Sequence, residues 1–319
     1  MQKTETSYKN NDIINKINEK IIEIVGKPND CELFIPTFTT KKTSKKILVM
    51  SGGGIKGIAM IGALCALNEL NVLQNITTFA GTSVGSLLLF LIIIGYFPSE
   101  LHDFIKIFDL GKLKGCSISL LMGSYGLDSG EKIIKTIEGF MIKKKINTKI
   151  TLKELFELTN KTFYITVVNI TKRRVEYLSH LTNPNLEVVK AIRMSISIPF
   201  VFTPVEYDNC LYVDGGCIDN FPMICFDKQL DDVIGICAID RNPQQNNITT
   251  IYDYGFNVIF SLINGITEIS VRKYKDHVIE IILENVLPID FDLSLERKNQ
   301  LFEIGYKTVH EYMNKFIYQ

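Results

Sequence analysis

The sequence predicts an α/β fold in which a mostly parallel central sheet lies between two layers of helices, a three-layer α/β/α arrangement. Short apolar runs rich in β-branched residues alternate with longer segments of helical periodicity, and this alternation indicates βαβ units. At 319 residues, 46% hydrophobic and 22% charged, the chain has the composition of a globular protein with a substantial core. Two of the predicted strands lead directly into glycine-rich turns that are followed by helices.

The predicted elements follow from the hydrophobic periodicity. Strands are predicted at Ile47–Ser51, Thr77–Ala80, Phe163–Ile170, Val175–Leu178, Leu211–Val213, Val233–Ile239 and Val278–Leu283. Helices are predicted at Ile58–Leu70, Val84–Gly95, Ser129–Lys143, Leu152–Leu158, Leu186–Met194, Tyr254–Tyr274 and Ser294–Phe316. The runs 163–170 and 173–179 are close enough along the chain to form a hairpin. The most apolar run, Leu87–Phe97, is about half the ~20 residues of a membrane-spanning helix, which favours a buried core helix.

Residues 1–45 are predicted to form an arm in front of the main domain. One helical face in this arm is apolar, formed by Ile14, Ile17, Ile21, Ile22 and Val25. A connector then carries four lysines: Lys41, Lys42, Lys45 and Lys46. We interpret the connector as a solvated linker, and contact with an anionic membrane surface is the alternative.

The composition and the N-terminal sequence favour some binding partners and cellular locations over others. Lys+Arg and Asp+Glu are both 35, so a global basic field that would attract nucleic acid is absent. The seven cysteines include no CxxC pair, which favours reduced thiols in a cytosolic protein over zinc or disulfide sites. No apolar signal-peptide region is apparent at the start of the chain. The predicted location is the cytoplasm, and peripheral association with membranes is the alternative.

The first chemical motif is the turn Gly52-Gly53-Gly54-Ile55-Lys56-Gly57 between a strand and a helix. Glycines leave backbone N–H groups unshielded, and the helix that follows adds the positive end of its dipole. Such a turn can bind a phosphate or stabilise a developing oxyanion. Its spacing also fits a dinucleotide site, although no acidic ribose-binding residue ends the second strand. A simple βα turn is the remaining alternative.

The second motif is Gly81-Thr82-Ser83-Val84-Gly85, which matches the G-x-S-x-G nucleophile elbow. Glycines are needed at both ends because the turn is sharp and side chains there would collide with neighbouring backbone. The elbow lifts the Ser83 hydroxyl above the sheet at the start of the next helix. A βα turn with an inert serine is the alternative.

The third motif is Asp214-Gly215-Gly216, which ends a strand. It becomes informative in combination with the second motif. A serine hydroxyl is a weak nucleophile at neutral pH and needs a base. Among the histidines His102, His180, His277 and His310, only His180 is a plausible member of a triad. A dyad in which Asp214 accepts the Ser83 proton directly is the simpler solution.

In this order the three motifs resemble the patatin-like phospholipase family. The separation of the first two motifs is also similar, and so are three further segments: Gly126–Gly130, Ala191–Phe202 and Gly215–Pro222. The resemblance covers roughly residues 47–240 and weakens toward the helix at Ser294–Phe316. It implies that residues 46–319 form a patatin-like catalytic domain.

The resemblance implies that Ser83 is the nucleophile, that Asp214 is its base, and that Gly52, Gly53 and Gly54 donate to the oxyanion. Supporting positions carried over from the family are Lys56, Gly57, Gly81, Gly85, Gly215 and Gly216. Lys56 would place a positive charge near the glycine turn, and a solvent-facing lysine is the alternative. The family needs neither cofactor nor calcium, and no D-x-D-x-D-G loop is present.

The implied activity is that of a serine esterase of the phospholipase A type, which cleaves acyl esters of (phospho)glycerolipids in lipid degradation. Its partners would be a phospholipid or another acyl-ester lipid and, transiently, a membrane surface. The apolar residues around Ile118–Met122 and Ile198–Phe202 are expected to line an acyl channel or to form a mobile cap, and packing in the core is the alternative. A catalytically idle lipid-binding protein on the same fold is the alternative.

Overall fold

The computed structural model describes residues 45–113, 123–242 and 248–317. Most of the predicted N-terminal arm, including its apolar helical face, therefore lies outside the described residues. The Ile118–Met122 run lies outside them as well. In the described ranges, no helix combines the length and the apolar character needed to cross a bilayer.

Eight strands form the central sheet. They are β1 (Ile47–Met50), β2 (Thr78–Thr82), β4 (Thr162–Asn169), β5 (Arg174–Leu178), β7 (Val205–Tyr207), β8 (Cys210–Asp214), β9 (Val233–Asn242) and β10 (Val278–Glu284). The hydrogen-bonded order is β10-β9-β1-β2-β4-β8-β7, and β5 also pairs with β4. The strands from β10 to β4 are parallel, whereas β5 and β8 pair antiparallel with β4. A second sheet contains only β3 (Gly126–Asp128) and β6 (Phe200–Phe202).

Eight α-helices lie within the described ranges. They are α1 (Gly57–Glu69), α2 (Val84–Ile93), α3 (Pro98–Ile107), α4 (Glu131–Lys143), α5 (Leu152–Thr159), α6 (Val188–Ser195), α7 (Ile251–Lys273) and α8 (Leu295–Ile317). The prediction of a buried core helix within Leu87–Phe97 is confirmed, because α2 is almost entirely buried.

Strand β1 shows how the sheet separates two layers. Leu48 and Met50 belong to the larger core, which contains the residues of α1 and α2. Ile47 and Val49 belong to a second core on the other face, together with residues of the C-terminal part of α7. All four residues are buried, as expected of a central parallel strand covered on both faces. The predicted three-layer α/β/α fold is confirmed.

The register of β4 brings two strand ends together. Thr166 of β4 pairs with Thr82, the last residue of β2, and Val167 pairs with Asp214, the last residue of β8. Strand β5 pairs with the same two residues of β4, so β2 and β8 must share the opposite edge. Because β2 runs parallel and β8 antiparallel to β4, their carboxyl ends approach each other along that edge.

Most predicted elements are confirmed within a few residues of their bounds, including the β4–β5 hairpin. Helix α3 and the strands β3, β6 and β7 were not expected from the sequence. The three strands have three residues each, too few to show a period of two.

Helices α1 and α8 pack closely enough to require glycine at Gly305, where an added Cβ would lie 1.8 Å from the Ala59 carbonyl oxygen. We expect Gly305→Ala to lower the melting temperature, because overpacking costs about 1–3 kcal/mol. The matched control is Gly265→Ala in α7, where an added Cβ meets nothing within 4 Å. This control should gain about 0.5–1 kcal/mol from helix propensity. Equal shifts of the two variants in thermal unfolding would contradict the close packing.

Candidate active site

Ser83 lies in a sharp turn between β2 and α2. Its backbone adopts φ 54° and ψ −126°, a conformation that is unfavourable for a residue with a side chain. An added Cβ would lie 2.4 Å from the Ser51 carbonyl oxygen at Gly85, and 2.6 Å from the Ser86 nitrogen at Gly81. The structure therefore has the geometry of the predicted nucleophile elbow, and both glycines are required by close backbone approach.

Asp214 ends β8 and is 3% exposed. The Ser83 side chain lies close enough to its carboxyl to influence its pKa, and the Gly216 N–H donates to Oδ1 at 2.7 Å. Burial raises the pKa of Asp214 to about 7, against the opposing effects of Ser83 and the Gly216 amide. A carboxyl with such a pKa can accept a proton near neutral pH.

The histidines do not join this pair. The His180 ring stacks on Phe156 with 3.9 Å between ring centroids, and burial lowers its pKa. His180 lines neither of the two cavities at Ser83 described below. The structure therefore gives no support to the alternative of a triad through His180.

The glycine turn lies beside the elbow, because an added Cβ on Gly52 would be 3.2 Å from the Ser83 Cβ. The Gly52 N–H donates to the Asn220 carbonyl oxygen at 2.9 Å. The expectation that Gly52 donates to an oxyanion is corrected accordingly, because this amide already has an acceptor. Within the described residues, the amides of Gly53 and Gly54 donate to no protein acceptor.

Gly54 itself requires glycine for two reasons. Its φ of 55° is left-handed, and an added Cβ would lie 2.0 Å from the Pro288 carbonyl oxygen. The Ile55 N–H donates to the same carbonyl oxygen at 2.9 Å. The segment before α8 thus packs against the glycine turn and holds it in this conformation.

Lys56 is 4% exposed, so the alternative of a solvent-facing lysine is wrong. Burial lowers its pKa, and the nearby Asp240 opposes that shift. The Asp240 carboxylate also accepts the Val286 N–H at 3.1 Å. The Lys56 side chain is therefore buried beside the glycine turn and close to Asp240.

The remaining motif glycines lie at close contacts around the pair. Added Cβ atoms would lie 2.6 Å from Val84 Cγ2 at Gly57 and 2.5 Å from the Thr166 carbonyl oxygen at Gly215. Gly216 contributes the amide that donates to Asp214.

Sequence reasoning missed Asn220, which lies in the stretch that follows Asp214. Its carbonyl oxygen accepts the Gly52 amide, and its Nδ2 donates to Thr267 Oγ1 of α7 at 3.0 Å. It therefore links the glycine turn to α7. The signal for it was a polar residue in the stretch Gly215–Pro222, which carried the family resemblance.

Sequence reasoning also missed Arg193, which is buried at the end of α6. Its guanidinium donates to the carbonyl oxygens of Ser129 and Thr203, each at 2.9 Å. Burial lowers its pKa to about 10, and Asp128 opposes that shift. The residue joins two of the segments, 126–130 and 191–202, that carried the family resemblance.

Two cavities meet at Ser83. An apolar cavity of about 160 Å³ is lined by residues such as Leu87, Phe104 and Ile137. A smaller cavity of about 40 Å³ is lined by polar groups that include Lys56 and Asn264. Ile198 lines both cavities and Phe202 lines the apolar one, and both residues are also buried in the larger core.

Comparisons with known proteins agree with this arrangement. Residues 48–225 match the family model described as Patatin-like phospholipase. An uncharacterized protein of Acanthamoeba polyphaga mimivirus is 33% identical, over 88% of this chain and 98% of its own length. A probable lipid hydrolase of Invertebrate iridescent virus 6 is 37% identical, over 59% of this chain and 65% of its own length. The crystal structure of VipD from Legionella pneumophila shares the fold, with a TM-score of 0.60 at 18% identity, over 93% of this chain and 73% of that one.

The raised pKa of Asp214 predicts a pH-dependent stability difference for Asp214→Asn. Folding disfavours the charged carboxylate, so the wild type loses stability as the pH rises from 3.8, the ordinary value, to about 7. The Asn variant has no such loss. Its stability relative to wild type should increase by roughly 2–3 kcal/mol between about pH 5 and about pH 8, at ~1.4 kcal/mol per pH unit. Denaturant unfolding at both pH values checks this, and a pH-independent difference would contradict it.

Proposed function

The chain belongs to the patatin-like phospholipase family, and on this premise we propose that it is a lipid acyl hydrolase that works through Ser83 and Asp214. The observation that carries the proposal is that the ends of β2 and β8 bring Ser83 and the buried Asp214 carboxyl to one cavity beside the glycine turn. The proposed activity is that of a serine esterase of the phospholipase A type. Its substrates would be acyl esters of (phospho)glycerolipids.

In the first half-reaction, Asp214 takes the Ser83 proton while Ser83 Oγ attacks the ester carbonyl carbon. The carbonyl oxygen becomes an oxyanion, and the amides of Gly53 and Gly54 are the donors that we assign to it. When the tetrahedral intermediate collapses, the bond to the alcohol oxygen breaks. Asp214 returns the proton to the leaving alcohol, and the acyl group remains on Ser83.

In the second half-reaction, water replaces the alcohol. Asp214 takes one proton from water, and the resulting hydroxide attacks the acyl carbon. Collapse of the second intermediate breaks the bond to Ser83 Oγ, which regains the proton from Asp214. The products are a free fatty acid and the enzyme in its starting state.

The two cavities suit the two parts of an amphiphilic ester. An acyl chain fits the apolar cavity, because its lining exposes almost only carbon atoms toward Ser83. The alcohol side of the ester would then face the polar cavity, where Lys56, Asn264 and Thr267 offer charge and hydrogen bonds. We further propose that residues 46–319 form one catalytic domain, because β10 belongs to the central sheet and α8 packs on α1.

The assignment is tested by labelling with a fluorophosphonate, which forms a covalent bond with an activated serine. Wild type should be labelled at Ser83, Ser83→Ala should not be labelled, and Asp214→Asn should be labelled far more slowly because the base is lost. Mass spectrometry of the digested protein locates the label. Labelling that persists in Ser83→Ala would refute the assignment.

The same experiment separates hydrolysis from idle lipid binding. An idle protein would bind phospholipid vesicles but release no fatty acid and take up no label. We expect hydrolysis of labelled phospholipid to be unchanged by a chelator, since Asp214 supplies the base. Loss of hydrolysis on chelation would contradict a metal-free reaction.

We also propose that the membrane contacts α7. The solvent face of this helix carries the exposed apolar side chains Ile251, Tyr254, Val258, Leu262 and Ile269. Solvent faces of helices are normally polar, so this stripe is unusual. On the opposite side of the helix, Ile263, Asn264 and Thr267 line the polar cavity at Ser83. A bilayer in contact with the stripe would therefore lie one helix diameter, ~10 Å, from the cavity.

The proposed membrane contact does not depend on the lysine connector. Lys41 and Lys42 lie outside the described residues. The Lys45 ammonium donates to the Asp231 carbonyl oxygen at 2.7 Å and is thus engaged within the protein.

Leu262→Glu tests the stripe. It should weaken binding to phospholipid vesicles about 10-fold or more, because burying a leucine side chain contributes about 1.5–3 kcal/mol. Hydrolysis of a soluble short-chain ester should stay unchanged. The matched control is Leu158→Glu on α5, because Leu158 is 60% exposed against 61% for Leu262 and lines neither cavity. Equal weakening of vesicle binding in both variants, or in neither, would contradict the proposed contact.

A further inference from the structure

Ser195, the last residue of α6, contacts the backbone of the nucleophile elbow. It is 0% exposed. Its Oγ accepts the backbone N–H of Ser83 at 2.8 Å and donates to the Thr166 carbonyl oxygen, also at 2.8 Å. One hydroxyl thus bridges the nucleophile and the strand β4.

The Ser83 amide needs such an acceptor because of where it lies. Strand β2 ends at Thr82, so the amide of Ser83 is beyond the ladder that β2 forms with β4. It precedes the first residue of α2, where no carbonyl of an earlier helical turn is available. A buried amide without an acceptor is costly, and the unfavourable backbone conformation of Ser83 adds to that cost. By accepting this N–H, Ser195 removes the cost of leaving the buried amide without an acceptor.

The residues that follow Ser195 contact the other member of the pair. The Ser197 carbonyl oxygen accepts the Asp214 N–H at 2.9 Å. The Ser197 hydroxyl donates to the Arg193 carbonyl oxygen at 2.6 Å and accepts a hydrogen bond from the Arg193 guanidinium. The turn at the end of α6 therefore contacts the backbone of both Ser83 and Asp214.

We propose that Ser195 is a positioning residue for the nucleophile: its hydroxyl fixes the Ser83 backbone in the elbow conformation and so aims Ser83 Oγ at Asp214 and the substrate carbonyl. This inference rests on the proposed function. Ser195 touches no reacting atom and exchanges no proton with the substrate. A loss of this contact leaves the cavities, Asp214 and the glycine turn in place but lets the nucleophile move.

The test compares Ser195→Ala and Ser195→Cys with wild type on a soluble short-chain ester. A thiol fills the space of the hydroxyl but accepts hydrogen bonds weakly, so the Cys variant tests the same contact even where the Ala variant folds poorly. Misplacement of a reacting group by ~1 Å can cost about 100-fold in rate, and we expect kcat to fall on that order with KM nearly unchanged. Exchange of the Ser83 amide hydrogen with solvent should become faster in both variants.

Ser179→Ala is the matched control. Ser179 is also 0% exposed, and its Oγ accepts the backbone N–H groups of Leu181 and Thr182 at 3.2 and 3.4 Å in the turn after β5. This variant should lower the melting temperature but leave kcat unchanged. A kcat close to wild type in Ser195→Cys, or an equal loss in Ser179→Ala, would overturn the proposal.

The outcomes also separate this inference from the proposed function. A wild-type protein that hydrolyses no ester and takes up no fluorophosphonate refutes the function itself. Amide exchange at Ser83 then still tests the contact with Ser195, and unchanged exchange in Ser195→Cys would overturn it. Active wild type with unimpaired Ser195 variants refutes the positioning role alone.

Discussion

The meeting of two strand ends beside β4 is the constraint on which the active site depends. Strand β2 delivers Ser83 and strand β8 delivers Asp214, and both strands end along one edge of β4, at Thr166 and Val167. Hydrogen-bond register fixes this meeting point, so two residues far apart in the chain come close together at adjacent strand ends. A shift of one residue in the register of β8 would turn Asp214 to the opposite face of the sheet.

Burial at this meeting point has two linked consequences. It raises the pKa of Asp214 to about 7, which suits a base that must be charged near neutrality and must also release its proton. It also requires that the buried backbone amides nearby find acceptors within the protein. Ser195 satisfies the Ser83 amide and Asn220 satisfies the Gly52 amide. The amides of Gly53 and Gly54 are then the ones that remain for the substrate in the described part of the turn.

The sequence predicted the fold class and the three motifs because these depend on local patterns. Periodicity identified the long elements, and the elbow and the Asp214 turn have glycines where close contacts demand them. Helix α3 had a readable start, with Pro98 at the first helical position and Glu100 in the first turn, although its periodicity alone did not reveal it. The burial of Lys56, the occupation of the Gly52 amide and the role of Ser195 depend on residues distant in sequence. Local sequence patterns do not show which distant residues come into contact, so these features emerge only from the structure.

The central claim is that Asp214, ionised and buried, is the base for Ser83. The most direct test is the pH dependence of kcat/KM for a soluble acyl ester, measured where the protein remains folded. We expect activity to fall as the pH drops through a midpoint of about 7, because protonated Asp214 cannot accept the serine proton. A midpoint near 3.8, the ordinary value of an aspartate, or no acidic limb at all, would contradict it.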